Sequence, residues 1–360
     1  MWDEIERKAL AGERLTRAEG VYLLTEAELL PLGQLAQAVR FRKHPRPDVT
    51  FVIDSNPNYT NVCDTDCLHC AFYRKPGATD AYTLSVEEVM ARIARAVAQG
   101  ATTILLQGGH NPAIPFEYYL ELVRETRRRF PGVTPHFFSA SEVQAMARYS
   151  GQTVRQVLER LTEAGQRSLP GGGAEVLSKR VRQRIAAKKG GPEDWLTVHR
   201  EAHRLGWRST ATMMYGHVET PEDVVEHFEV IRALQDETGG FTAFVPWSFK
   251  PTNTYLSKWV PVGAGPNAYL RIIAASRLYL DNFDHVQASW FSEGKKTGQV
   301  ALHFGADDFG GTLLEENVHA AAGFVNRTTT EETVAIIREA GFRPVQRTTH
   351  YELVRAYDPA

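Results

Sequence analysis

Three cysteines lie within eight residues, at Cys63, Cys67 and Cys70, and the 360-residue chain has no others. Thiolates are the soft ligands that iron–sulfur clusters require, so three of them on one short loop can hold three corners of a [4Fe–4S] cube. Because no fourth cysteine exists, the fourth iron is open or held by another group. The C-x₃-C-x₂-C spacing therefore predicts a cluster that can bind and activate a small molecule.

A disulfide framework and a zinc site are the competing roles for these cysteines. An odd number of cysteines argues against a disulfide framework. A zinc site would need four ligands, often as two separated C-x₂-C pairs, and His69 is badly placed as the fourth because it is adjacent to Cys70. A non-catalytic iron–sulfur or zinc protein remains an alternative class, but an electron carrier would need a saturated cluster and hence a fourth ligand.

Composition excludes several classes of protein. The net charge is −2 and 43% of the residues are hydrophobic, which is typical of a globular protein and gives no sign of binding to nucleic acid or an anionic membrane. The apolar runs are too short for membrane insertion, and the first fifteen residues are charged throughout, unlike a signal peptide. We therefore expect a soluble, cytoplasmic protein.

Short apolar segments alternate with amphipathic helical segments about eight times between residues 50 and 325, which predicts a parallel α/β sheet. Open doubly wound sheets and closed (βα)₈ barrels both fit, and both place function at the carboxyl ends of the strands. The predicted strands are Thr50–Ile53, Ala101–Leu106, Pro135–Phe138, a short strand near Ser168, Arg208–Met214, Phe241–Trp247, His285–Ala288 and Ala301–Phe304.

The cysteine spacing and the strand-end motifs resemble those of the radical S-adenosylmethionine (SAM) superfamily over about residues 50–325. The resemblance implies a [4Fe–4S] cluster on the three cysteines, with SAM bound through its amino and carboxylate groups to the open iron. Reductive cleavage of SAM then yields a 5′-deoxyadenosyl radical. The resemblance also implies one (βα)₈ TIM-type barrel over 46–325, with an N-terminal helical segment at 1–45 and a C-terminal extension at 326–360 that packs on the barrel.

The resemblance implies SAM contacts at several strand ends. Gln107-Gly-Gly-His110 corresponds to a GGE-like motif, with His110 in place of the acidic residue, and Thr212–Glu219 corresponds to GxIxGxxE, with Thr212 in place of the first glycine. The glycine run Gly171–Gly173 equally suits a plain turn before a helix. The residues assigned to SAM are His69, Phe72, Gln107, Gly108, Gly109, Glu175, Met214 and Glu219.

Further blocks look like a group that acts in menaquinone and deazaflavin biosynthesis, among them Asn58–Asn61, Gly171–Glu175 and Leu234–Gly240. Leu106–Pro112, Phe244–Phe249 and Gly305–Thr312 look most like the dehypoxanthine futalosine cyclases. The resemblance implies cyclisation of dehypoxanthinyl futalosine by hydrogen abstraction at C4′ of the ribose and attack on the benzoate ring. It also implies an external one-electron donor such as a flavodoxin or ferredoxin. Aminofutalosine synthase and deazaflavin (FO) synthase are the alternatives.

Cyclisation also requires a base and groups that hold the substrate. His217, Asp307 and Asp308 are the candidate bases by position, although both aspartates equally suit capping of a helix near Thr312 or ordering of a loop. The substrate carboxylate predicts a positive or amide-rich contact, and the aromatic residues suit either a substrate wall or ordinary core. The predicted substrate contacts are Arg74, Trp247, Phe249, Trp290, Gly311 and Thr312.

Overall fold

The computed structural model describes residues 1–358. Its strands are Asp48–Val52 (β1), Asp54–Ser55 (β2), Thr103–Leu106 (β3), Thr134–Phe137 (β4), Ser168–Leu169 (β5), Arg208–Tyr215 (β6), Phe241–Ser248 (β7), His285–Val286 (β8), Asp308–Gly311 (β9), Arg343–Arg347 (β10) and Leu353–Ala356 (β11). Its α-helices are Trp2–Ala11 (α1), Arg17–Thr25 (α2), Leu29–Lys43 (α3), Val86–Ala98 (α4), Phe116–Arg129 (α5), Ala140–Ser150 (α6), Val154–Ala164 (α7), Lys179–Ile185 (α8), Pro192–Arg204 (α9), Pro221–Thr238 (α10), Pro266–Tyr279 (α11), Trp290–Glu293 (α12), Lys295–Ala301 (α13), Val318–Ala321 (α14) and Thr330–Glu339 (α15).

The strands close into a parallel barrel. Strands β2 to β8 pair in sequence order in one parallel sheet, and β9 pairs in parallel with β1, which leads directly into β2. The ring closes between β8 and β9, where the amide of Ala288 donates to the carbonyl of Asp308 at 2.7 Å. The predicted α/β barrel is thus confirmed, and the carboxyl ends of its strands meet at one mouth.

The C-terminal segment is built into the other end of this barrel. Strand β10 pairs in parallel with β1, and β11 pairs antiparallel with β10. Just beyond β10, the hydroxyl of Thr349 lies 2.6 Å from that of Thr103, the first residue of β3. The segment expected to pack on the barrel therefore contributes a strand beside β1 and closes the amino-terminal end.

Local sequence signals account for the helices that surround the strands. Ser85 and Glu88 form a capping box at the start of α4, and Thr16 and Glu19 form one at the start of α2. Helices α2 and α3 pack on α11, so the N-terminal segment covers one side of the barrel. No helix within residues 1–358 combines the length and the apolar character needed to span a lipid bilayer.

The prediction for the last barrel strand was wrong. Residues 301–304 form the end of α13 and a turn, and the strand lies at Asp308–Gly311 instead. An apolar run of this length is compatible with either a strand or a buried helix end. Here Ala301, the last residue of α13, and Leu302, which follows it, are both fully buried. The predicted helix near Thr312 was also wrong, because residues 312–317 are a loop and α14 begins at Val318.

Candidate active site

The cysteine loop follows β2 at the mouth of the barrel. It is held by its own backbone, because the amide of Cys63 donates to the carbonyl of Arg74 at 2.9 Å and that of Arg74 donates to Asn61 at 2.7 Å. All three cysteines are free, and all three line one cavity at the mouth of the barrel.

Burial makes two of the three thiols of this loop, those of Cys67 and Cys70, poor acids. It raises the pKa of Cys67 to about 12 and also raises the pKa of Cys70. The thiolates that a cluster needs are therefore stable here only beside strong positive charge, which the iron atoms of a cluster provide. Lys189 adds to this charge, since it lowers the pKa of both thiols.

The glycines after β3 lie against the cysteine loop. A Cβ atom on Gly109 would lie 2.1 Å from the carbonyl oxygen of Val62 and 2.9 Å from the Cβ of Cys63, so only glycine allows this approach. The amide of Gly108 is held at 2.9 Å by the carboxylate of Glu142, a residue that no sequence motif indicated. These contacts bring the backbone of the glycines close to the cysteine loop.

A buried ion pair lies in the same cavity wall as the cysteines. The ammonium of Lys189 donates to Glu175 Oε1 at 2.6 Å, and His69 Nε2 lies 3.3 Å from the same oxygen. Although burial opposes ionisation, Lys189 and His69 hold the pKa of Glu175 well below its usual range. His69 Nδ1 is buried without a hydrogen-bond partner among residues 1–358. A polar atom left over in this way suits a site that receives a polar cofactor.

Two adjoining cavities, of about 200 and 220 Å³, lie at the mouth and inside the barrel. They share Gln107, Gly172, Trp247, Val318 and His319 in their walls. The inner cavity also contacts Gly311. The predicted residues that line the outer one are Cys63, Cys67, His69, Cys70, Phe72, Gln107, Gly108, Gly109, Glu175, Trp247 and Phe249.

The residues after β6 order a turn and do not line either cavity. Glu219 accepts hydrogen bonds from the amides of Gly216 and His217. His217 has a fully buried side chain whose Nε2 donates to the carbonyl of Met214 at 2.9 Å, while its Nδ1 accepts from the amide of Val218. With both ring nitrogens engaged, His217 has no free position to act as a base. Met214 is buried in the core.

Asp307 and Asp308 lie at the amino-terminal end of β9, opposite the mouth. Asp307 pairs with the buried guanidinium of Arg277, which holds its pKa far below the usual range together with His285. Asp308 pairs with Arg347 of β10. Asp307, His285 and His44 place three ligand atoms within 4.8 Å, but the charge of Arg277 disfavours a cation there. The structure therefore assigns both aspartates to ion pairs that close the barrel.

Replacing Asp307 by asparagine is expected to destabilise the fold by about 3–5 kcal/mol, because it leaves Arg277 buried without a counter-charge. Asp236→Asn is the matched control, since Asp236 is 43% exposed and pairs with Arg14 at the surface. Loss of an exposed ion pair should lower the free energy of unfolding by only about 0–1 kcal/mol. Denaturant unfolding measures both. If Asp307→Asn kept the stability of the wild type but lost substrate conversion, Asp307 would be a catalytic residue and the ion-pair assignment would be wrong.

Three predicted substrate contacts are engaged elsewhere. Arg74 donates to the carbonyls of residues 71, 72 and 73 and pairs with Asp80, so it orders the cysteine loop. Trp290 is fully buried and donates to the carbonyl of Gly311 at 3.0 Å. The amide of Thr312 donates to Val52 at 3.0 Å and its hydroxyl accepts from Asp54. Neither Gly311 nor Thr312 begins a helix, so the predicted amide site for a carboxylate is not formed.

The cavity walls also contain residues that no sequence pattern indicated, among them Lys189, Lys250 and His319. His319 Nε2 is buried without a partner among the described residues, and burial lowers its pKa to about 4. Each is a single residue outside any motif, so no spacing signal could have identified it.

Comparisons with known proteins agree with this geometry. The model of the radical SAM superfamily matches residues 57–231, and that of the CofH/MqnC C-terminal region matches residues 238–359. The chain is 42% identical to cyclic dehypoxanthine futalosine synthase of Halalkalibacterium halodurans, over 99% of this chain and 96% of that one. It is 43% identical to the Streptomyces coelicolor protein of the same name, over 98% and 89%, and 39% identical to aminodeoxyfutalosine synthase of S. coelicolor, over 99% and 96%.

Solved structures share the fold. Methylornithine synthase superposes with a TM-score of 0.74 at 17% identity, over 94% of this chain and 97% of that chain. The hydrogenase maturase HydG of Carboxydothermus hydrogenoformans gives 0.75 at 16% identity, over 97% and 80%. The chain belongs to the radical SAM superfamily, whose cofactors are a [4Fe–4S] cluster and S-adenosylmethionine.

Proposed function

We propose that this protein cyclises dehypoxanthinyl futalosine to cyclic dehypoxanthinyl futalosine in the futalosine route to menaquinone. The observation that carries the proposal is the identity of 42–43%, over nearly the whole chain, to two proteins named for this reaction. The two adjoining cavities support it, because one contacts the three cysteines and the other offers room for a second molecule inside the barrel.

In this proposal Cys63, Cys67 and Cys70 hold the cluster, and the backbone around Gly108 and Gly109 receives SAM. When bound, the cluster and SAM supply a 5′-deoxyadenosyl radical that removes one hydrogen atom from C4′. A new carbon–carbon bond then joins C4′ to the benzoate ring, and the ring carbon loses a proton and an electron. That electron balances the one taken up in SAM cleavage. The barrel holds the two carbons together, which is chiefly a proximity effect.

The reaction requires a one-electron donor from outside the chain, and we propose a flavodoxin or ferredoxin. We also propose that the protein acts in the cytoplasm. A reducing compartment suits a site whose three cysteines must stay unpaired to serve as ligands.

An anaerobic assay tests the proposed function. The reconstituted protein receives reductant, SAM and dehypoxanthinyl futalosine, and mass spectrometry follows the products. We expect a cyclised product two hydrogens lighter than the substrate, together with equimolar 5′-deoxyadenosine and methionine. Formation of 5′-deoxyadenosine without substrate conversion would reject the cyclase and favour the activity of a relative such as aminodeoxyfutalosine synthase.

A further inference from the structure

Lys250 is a cation in the wall of the outer cavity, just after β7. Its ammonium donates to the hydroxyl of Ser248 at 2.8 Å and lies 4.2 Å from the centre of the Phe324 ring. It forms no ion pair with any carboxylate of residues 1–358, and burial lowers its pKa, opposed only by the more remote Glu293. A partly buried charge without a counter-charge is costly unless a ligand provides one.

The other lysine of this cavity shows the contrast. Lys189 is neutralised by Glu175 at 2.6 Å, and Glu175 also lies 3.3 Å from His69 of the cysteine loop. Lys189 therefore lies on the cluster side of the cavity. Lys250 instead contacts Ser248 and the ring of Phe324, both of which lie outside the cysteine loop.

The surroundings of Lys250 suit an aromatic ligand. Trp247 and Phe249 flank it in sequence and line the same cavity, and His319 lies edge-on to Trp247 with ring centres 5.4 Å apart. After burial, the positive charge of Lys250 is what lowers the pKa of His319, so the two groups lie near each other. Trp247 and His319 line the inner cavity as well, so a ring held there could pack against them while its carboxylate reaches the ammonium.

We propose that Lys250 binds the carboxylate of the substrate and thereby sets the position of its benzoate ring, an inference that rests on the proposed function. The carboxylate of SAM has the same chemistry, but SAM belongs on the cluster side, where Lys189 lies. This assigns the substrate carboxylate to Lys250 instead of to Arg74, Gly311 or Thr312. The polar groups of those three residues already form hydrogen bonds within the protein.

The test compares the substrate with its benzoate methyl ester, which has lost the negative charge. Anaerobic calorimetry on the cluster-loaded protein in the presence of SAM gives both dissociation constants. In the wild type, the acid should bind at least about tenfold more tightly than the ester, the scale of one charge-assisted hydrogen bond. Lys250→Met should bind the acid about tenfold more weakly and no longer distinguish acid from ester, and Lys250→Arg should recover part of the preference.

Lys258→Met is the matched control, because Lys258 is exposed and contacts neither cavity. It should behave as the wild type, and iron content and the dissociation constant of SAM should not change in any variant. A Lys250→Met protein that still prefers the acid tenfold would overturn the proposal, as would a loss of affinity for SAM rather than for the substrate. If the wild type converts the substrate but shows no preference, only this inference fails; if it neither binds nor converts the substrate, the proposed function fails.

Discussion

Replacing Cys67 by alanine is expected to abolish cluster assembly and SAM cleavage together. The chain has no other cysteine outside the loop that could take over as a ligand. Loss of outer-shell partners alone costs about 10–100-fold in metal affinity or activity, so loss of a ligand should exceed about a hundredfold. Iron and sulfide content, the visible absorbance of the cluster and the yield of 5′-deoxyadenosine measure the effect. Cys63→Ala and Cys70→Ala should give the same result.

Lys75→Ala is the control for this prediction, because Lys75 is an exposed residue of the same loop. It should keep the full cluster content and activity. If a cysteine variant retained a complete cluster and cleaved SAM at the rate of the control, the ligand assignment would be wrong. Removal of the iron from the wild type by a chelator should also abolish SAM cleavage, and reconstitution should restore it.

Replacing Gly109 by alanine is the second change with a large expected effect. The added Cβ would meet the carbonyl oxygen of Val62 at 2.1 Å and the Cβ of Cys63 at 2.9 Å, so the cysteine loop must move. Overpacking of this kind costs about 1–3 kcal/mol, and a displacement of about 1 Å at a reactive site can cost about a hundredfold in rate. We expect reduced iron content and a SAM cleavage rate lowered by about that factor.

Gly132→Ala is the matched control. A Cβ on Gly132 would meet nothing within 4 Å, and its φ is outside the left-handed region. This variant should keep the cluster and the cleavage rate of the wild type. A Gly109→Ala protein that is indistinguishable from Gly132→Ala would contradict the close approach between the glycines and the cysteine loop.

The sequence predicts best where the chemistry is local. Cys63, Cys67 and Cys70 fall within one loop, and Gly108 and Gly109 follow directly on a strand, so spacing and strand order alone place them at the same mouth. The capping boxes at Ser85 and Thr16 are equally local, since each needs only a partner three residues later.

Residues whose role depends on distant partners could not be predicted in this way. Asp308 is 39 residues from its partner Arg347, and Asp307 is 30 residues from Arg277. In the sequence both aspartates are candidate bases by position. Only the fold shows their partners, which are Arg277 of α11 for Asp307 and Arg347 of β10 for Asp308. Lys189 and Lys250 are likewise isolated lysines until the fold brings them to one cavity.

Isotope labelling tests the central claim most directly. Dehypoxanthinyl futalosine that carries deuterium at C4′ is incubated anaerobically with the loaded protein, SAM and reductant, and the 5′-deoxyadenosine is analysed by mass spectrometry. The proposed function predicts one deuterium in the 5′-deoxyadenosine and none in the cyclised product. Unlabelled 5′-deoxyadenosine formed alongside a cyclised product that keeps the deuterium would contradict it.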